Sequence, residues 1–341
     1  MKLGLMIGYS GAHLDLPVDL VQEAESLGYD SVWMAEAWGN DACTPLGYLA
    51  AVTERIRLGT AIMQVPARTP ANAAMTAMTL DELSNGRFIM GIGMSGPQVV
   101  EGWHGKPYRL TLTQLREYIQ ILRRIFAREE PLEFEGKYFR IPYDGERSTG
   151  QGKPLKSLMH GTDRIPIYTG SLAPKSQQMC GEYADGCLLT NMIPEVPEAV
   201  MENLEVGFER AGGGKSLENF DLACTVAVVL DDDLERARTP LRQQLARYVG
   251  GFGTKKTNFY KDYLSRCGWA EDCEKIQDLF LAGHARQAID AVPNEMIDAL
   301  YLVGPKERIQ ERFEAWKRSP IGTFMVGSRD PRVIRLLAEC M

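Results

Sequence analysis

The chain has 341 residues, 45% of them hydrophobic and 24% charged, with a formal net charge of -7. That length accommodates about two domains of ~150 residues, or one α/β barrel of ~250 residues carrying insertions. The acidic balance argues against a nucleic-acid partner, which needs clustered basic charge, and no run approaches the ~20 apolar residues that span a bilayer, so a cytoplasmic chain with no membrane association is expected.

In chain order, apolar runs alternate with helical patterns. Residues 3–8 read as a strand. Over 15–27 the stripe Leu16, Leu20, Ala24 and Leu27 predicts a helix, stopped by Gly28. Strands follow at 31–35 and 56–62 around a helix at 45–53. The helix at 70–83 closes on Ser84-Asn85-Gly86 and leads to a strand at 87–92. A long helix over 110–127 puts Leu112, Leu115, Ile119, Leu122 and Phe126 on one face.

The alternation then pauses. Residues 128–164 are rich in proline and glycine, with a β-hairpin pattern at 132–139, and read as an insertion. Strands resume at 165–168, 185–189 and 220–230, with helices at 174–183, 197–211 and 234–249. Residues 250–290 are aromatic-rich and less periodic, and read as a second insertion. A helix at 305–317, a strand at 323–326 and a helix at 331–340 finish the chain. Eight strands with intervening helices imply a parallel sheet. The expected fold class is α/β, a single (β/α)8 TIM barrel with insertions, and a doubly wound sheet is the alternative.

The 7 cysteines are odd in number and scattered, which fits reduced thiols rather than a disulfide framework. Neither they nor the 4 dispersed histidines have zinc-ligand spacing, so no metal is expected.

A barrel presents its chemistry at the C-terminal ends of its strands. Tyr9 follows the first. Glu36, Trp38 and Asp41 follow the second, where a carboxylate flanked by Trp33 and Trp38 would be desolvated and suited to proton transfer. The opposing reading is a carboxylate satisfied by backbone N–H groups or an arginine. Met63 follows the third strand; with Tyr9, Trp38, Asp41 and Trp103 it would line a substrate pocket, or else pack in the core. Gly93, Ser95 and Gly96 follow the fourth, in a loop that could hold a phosphate or be an ordinary tight turn. Glu101, Trp103 and His104 lie further along, and His104 is a candidate proton donor or a surface histidine. Thr169, Gly170 and Ser171 follow the fifth strand. The helix after them would aim N–H groups at an anion, and Lys175 is either a phosphate contact or a solvated lysine.

Three stretches carry a resemblance: Leu58-Gly59-Thr60-Ala61-Ile62, Thr79-Leu80-Asp81-Glu82-Leu83-Ser84-Asn85-Gly86-Arg87-Phe88, and Gly91-Ile92-Gly93-Met94-Ser95-Gly96-Pro97. Together they resemble the bacterial-luciferase-like superfamily, more closely its members that use the deazaflavin coenzyme F420. The resemblance implies an oxidoreductase exchanging hydride between coenzyme F420 and a small organic substrate. The alternatives are an FMN-dependent monooxygenase and a non-catalytic flavin-binding protein. The resemblance also implies a cis peptide between Ala61 and Ile62, a ring lying between Ala61 and Gly93, and a phosphate near Ser95-Gly96 or Thr169-Gly170-Ser171. It makes Glu101 a candidate carboxylate. One departure matters: several coenzyme F420-dependent dehydrogenases carry an Asp-His pair after strand two, and this chain has Glu36-Ala37. Glu36 is therefore the leading catalytic candidate, with His104 and Glu101 behind it. A homodimer is left open.

Overall fold

The computed structural model describes residues 1–160 and 165–341. Eight strands close into a barrel: β1 (Lys2–Gly8), β2 (Ser31–Met34), β3 (Arg57–Thr60), β4 (Phe88–Gly93), β5 (Ile167–Gly170), β6 (Gly186–Thr190), β7 (Asp221–Leu230) and β8 (Thr323–Gly327). Each runs parallel to the next, and β8 returns to β1. The closed barrel replaces the doubly wound alternative. Helices α1 (Val18–Ser26), α2 (Cys43–Val52), α3 (Pro70–Leu83), α4 (Thr111–Ala127) and α5 (Pro174–Tyr183) follow the first five strands. Strands covered on both faces read as continuous apolar runs, which is why all eight were visible in the sequence.

The barrel interior is filled by Trp33, Ile89, Tyr168, Leu188, Ala223 and Met325, with Met6, Ala61 and Ile62 packed against them. Two glycines of the family-like stretches, Gly59 and Gly91, make room for this plug. A Cβ on Gly59 would overlap the Trp33 ring, and one on Gly91 would overlap the Thr60 carbonyl oxygen. Thr60 Oγ1 donates to the Gly91 carbonyl at 2.7 Å and accepts the Gly91 N–H at 2.9 Å. Backbones this close leave no room for a side chain.

The opposite end of the barrel is a polar clamp. The Arg87 guanidinium donates to the carbonyl oxygens of Ala50, Thr53, Ile56 and Ser84 and to Thr53 Oγ1, at 2.7 to 3.1 Å. Its role is structural. Asp221 accepts from the Tyr168 hydroxyl at 3.0 Å and from Thr323 Oγ1 at 2.7 Å.

Several boundaries moved. Helix α1 starts after Pro17 rather than at residue 15. Strand β3 stops at Thr60, and Met63–Gln64 then pairs separately with Ile92 and Gly93. The hairpin pairs Phe134–Glu135 with Arg140–Ile141, later than expected. Residues 161–164 of the first segment outside the barrel lie outside the described residues. The second such segment is largely helical after a turn bridged by Thr254 and Thr257, with helices Phe259–Leu264, Ala270–Leu281 and Ala285–Asp290. Gly268 and Gly283, both at positive φ, break it into pieces too short for a clear period. Three short elements had no signal long enough to read: the strand Leu302–Gly304, which pairs parallel with the end of β7, and the helices Pro97–Gly102 and Asn294–Leu300.

Glu117 on α4 pins the hairpin. It is 3% exposed, and its carboxylate accepts the N–H groups of Lys137, Tyr138 and Phe139 at 2.8 to 3.0 Å. Burial alone would raise its pKa, but the three N–H donors outweigh burial and hold it below the ordinary glutamate range. A depressed folded-state value stabilises the fold above the unfolded value, and that contribution is lost as pH falls through the folded one. Glu117→Gln is expected to cost about 1.5–3 kcal/mol at pH 7, with the gap closing on acidification. Urea midpoints of parent and variant across the acid range check this; an equal gap at every pH would refute the linkage.

Candidate active site at the barrel mouth

The floor of the mouth is Ile62. Its peptide bond to Ala61 is cis, as the resemblance implied, and its side chain caps the interior plug. A Cβ on Gly93 would lie 2.9 Å from Ile62 Cδ1, and one on Gly170 would lie 3.2 Å from Ile62 Cγ2. Ile62 is thus bordered by two backbones without side chains, a flat apolar shelf open on one side. Such a shelf suits a planar ring.

Beside this shelf lies a hydrogen-bonded chain. Glu36 Oε1 accepts the Gln64 N–H at 2.7 Å and Arg68 Nη1 at 2.6 Å; Oε2 accepts the Ala42 N–H at 3.0 Å and Arg68 Nη2 at 3.1 Å. The pair is nearly enclosed, with side-chain exposures of 7% for Glu36 and 17% for Arg68. Burial pulls the Arg68 guanidinium down, but the bond and charge of Glu36 outweigh it and hold the group above its ordinary value. Gln64 continues the chain. Its Nε2 donates to the carbonyl oxygens of Glu36 at 3.0 Å and Ala37 at 2.7 Å, and its Oε1 meets His104 Nε2 at 2.7 Å.

This geometry revises the expected roles. Glu36 has both oxygens occupied by four donors, so the satisfied-carboxylate reading describes it, and it holds its neighbours rather than facing the mouth as a free acid. Asp41 caps the start of α2, accepting the N–H groups of Cys43 and Thr44 at 2.9 and 2.8 Å, so its carboxylate is also committed. Met63 is 1% exposed and packs its sulfur 3.6 Å from Cys43 Sγ in the layer beneath α2; it is not a pocket wall.

Tyr9, Trp38 and Trp103 do stand open, at 47%, 53% and 65% exposure. Exposed aromatics of this size on neighbouring exit loops make an apolar rim. The loops are tied together: the Ser10 N–H donates to Asn40 Oδ1 at 2.6 Å. Tyr9 also lies near Tyr248 and Tyr260, whose phenols burial pushes up and the Tyr9 phenol pushes further. Glu101 is exposed and accepts the Tyr108 N–H at 3.3 Å. His104 is half-buried and joins Glu36 in the hydrogen-bonded chain through Gln64.

At the β5 exit, the Thr169 and Ser171 hydroxyls are buried and bonded to each other at 3.1 Å. What the turn offers outward is the Gly170 backbone, the first turn of α5 and the exposed Lys175. Ser95 sits at positive φ, its carbonyl accepting the Tyr108 hydroxyl at 3.3 Å, next to Gly96. Gln64 and Arg68 were the residues whose part in the site went unread. The one available signal was a glutamine directly at a strand exit, where barrels place polar side chains for function.

Among the described residues, no three or more His, Cys, Asp or Glu side chains gather as metal ligands, and no helix is long and apolar enough to cross a membrane.

Known proteins match this architecture closely. The family model described as luciferase-like monooxygenase matches residues 1–322. A Mycobacterium tuberculosis protein assigned as a coenzyme F420-dependent oxidoreductase is 40% identical, with 99% of this chain and 98% of that one covered. A 5,10-methylenetetrahydromethanopterin reductase of Archaeoglobus fulgidus is 29% identical, with 90% and 88% covered. The solved structure of an F420-dependent secondary alcohol dehydrogenase with an F420-acetone adduct superposes with a TM-score of 0.78 at 20% identity, covering 100% of this chain and 98% of that one. With the family stretches now seen to build the plug and the shelf, the chain belongs to the luciferase-like monooxygenase family and is an oxidoreductase.

Proposed function

We propose that the protein is a coenzyme F420-dependent oxidoreductase that exchanges hydride with a small organic substrate at the barrel mouth, with the segments near 128–164 and 250–290 as insertions on one barrel. The carrying observation is the Ile62 shelf between Gly93 and Gly170, two residues before Gln64, which tethers His104. The 40% identical relative supports the choice of cofactor.

The residues fit such a group. Ala61, Ile62 and Gly93 would hold its ring; the Ser95-Gly96 loop, or the Gly170 backbone with Lys175, would take its phosphate. When bound, coenzyme F420 supplies a two-electron hydride carrier. The chain's own work is positioning, exclusion of water and proton transfer. Tyr9, Trp38 and Trp103 would cover the substrate. When a substrate C=X bond takes up hydride at carbon, X needs a proton, and His104 is the group placed to give it. Glu36, Arg68 and Gln64 hold that histidine in place, and Glu101 is the reserve donor.

Titrating the purified protein with F420 and with FMN, followed by fluorescence quenching, tests the cofactor. Binding of F420 with weak or no FMN binding is expected; preference for FMN would overturn the assignment. Gly170→Val places a side chain against Ile62 Cγ2 and is expected to weaken F420 binding about 10-fold, or about 1.4 kcal/mol. Unchanged affinity would make this turn structural only.

A further inference from the structure

We propose that Gln64 keeps the proton of His104 on Nε2, so that Nδ1 alone exchanges protons during turnover. The inference deepens the reading of the mouth as a hydride-transfer site and rests on it for the word turnover; the state of the ring does not. Gln64 is 1% exposed, so its amide must satisfy itself within the protein. Its Nε2 has two carbonyl partners, Glu36 at 3.0 Å and Ala37 at 2.7 Å. Flipping the amide would set Oε1 against two acceptors, so the orientation is determined. Oε1 then faces His104 Nε2 at 2.7 Å. An amide oxygen can only accept, so the histidine nitrogen must carry hydrogen in the neutral and the charged ring alike.

Nδ1 is left as the nitrogen that gains and loses a proton, and among the described residues it has no hydrogen-bond partner. The backbone that fixes Gln64 is itself fixed: Glu36 accepts the Gln64 N–H at 2.7 Å and is clamped by Arg68. Gln64 is therefore a positioning residue, acting on a histidine 40 residues away in sequence. When substrate X takes the proton from Nδ1, the N–H bond breaks and an X–H bond forms. The ring becomes neutral with Nε2–H still held by Gln64, and solvent returns the proton to Nδ1.

The test uses the full-length protein with 15N-labelled histidine, assigned with His104→Ala. Protonated and unprotonated ring nitrogens are well separated in 15N shift. In the parent, the His104 Nε2–H should be directly observable and protected from exchange. In Gln64→Leu that protection should vanish, and kcat with reduced F420 should fall about 10-fold or more with little change in KM, as expected for a misheld ring nitrogen. Gln64→Asn keeps an amide at this position and should restore part of the Nε2–H protection and of kcat, while unchanged ring signals of His13, His160 and His284 guard against a simple folding defect. An unchanged His104 spectrum in Gln64→Leu overturns the proposal. Failure of the parent to turn over F420 would instead overturn the functional reading, and the ring spectra would still decide the role of Gln64.

Discussion

Gly91→Val is expected to prevent the barrel from closing properly. The new Cβ would overlap the Thr60 carbonyl oxygen and lie 2.6 Å from Leu188 Cδ1. Leu188 belongs to the interior plug and has nowhere to go, since Trp33 and Tyr168 fill the space beside it. Overpacking a core costs about 1–3 kcal/mol. The strand shift needed to relieve it would break both Thr60–Gly91 hydrogen bonds, at about 0.5–1.5 kcal/mol each. A loss above about 3 kcal/mol is a large part of a stability of about 5–15 kcal/mol, so low soluble yield and a sharply reduced urea midpoint are expected. Gly11→Ala is the matched control, because its Cβ would meet nothing within 4 Å. A parent-like midpoint for Gly91→Val would mean that the plug is looser than its packing implies.

The same residue shows what the sequence could convey. Gly59, Gly91 and Gly93 stood out as a pattern, and the pattern located the mouth. Their reasons did not show, because the partners are distant in the chain: Trp33 for Gly59, Thr60 and Leu188 for Gly91, and Ile62 for Gly93. The strands themselves were legible as local apolar runs. Their exits were legible too, and Ile62, Gly93 and Gly170 meet there. What could not be read was which exit residues were already committed. Glu36 looked available because its partner Arg68 is 32 residues on, and His104 looked like a surface residue because Gln64 is 40 residues back. Met63 was placed in the pocket by its position after a strand, but the separate Met63–Gln64 pairing turns it toward Cys43 and leaves Gln64 to serve the site.

Glu36→Gln and His104→Ala are expected to separate holding from chemistry. In Glu36→Gln one oxygen becomes an NH2 group facing donors, either Arg68 with the Gln64 N–H or Arg68 with the Ala42 N–H. The guanidinium, with 17% side-chain exposure, loses its counter-charge. Removing one partner of an enclosed ion pair costs about 3–5 kcal/mol. The variant should therefore lose thermal stability first, and lose turnover as far as Gln64 and His104 drift. His104→Ala does the opposite. The ring is half-buried with a single hydrogen-bond partner, so the fold should be nearly unaffected and F420 affinity should hold. Turnover should fall about 100-fold or more, the typical worth of a positioned proton donor. Melting curves, cofactor titrations and single-turnover rates on both variants decide the matter. If Glu36→Gln keeps its stability and loses only turnover, the carboxylate is the proton donor after all. If His104→Ala turns over at the parent rate, the proton comes from solvent or Glu101, and the chain from Arg68 through Glu36 and Gln64 serves only to brace the β2 and β3 exits.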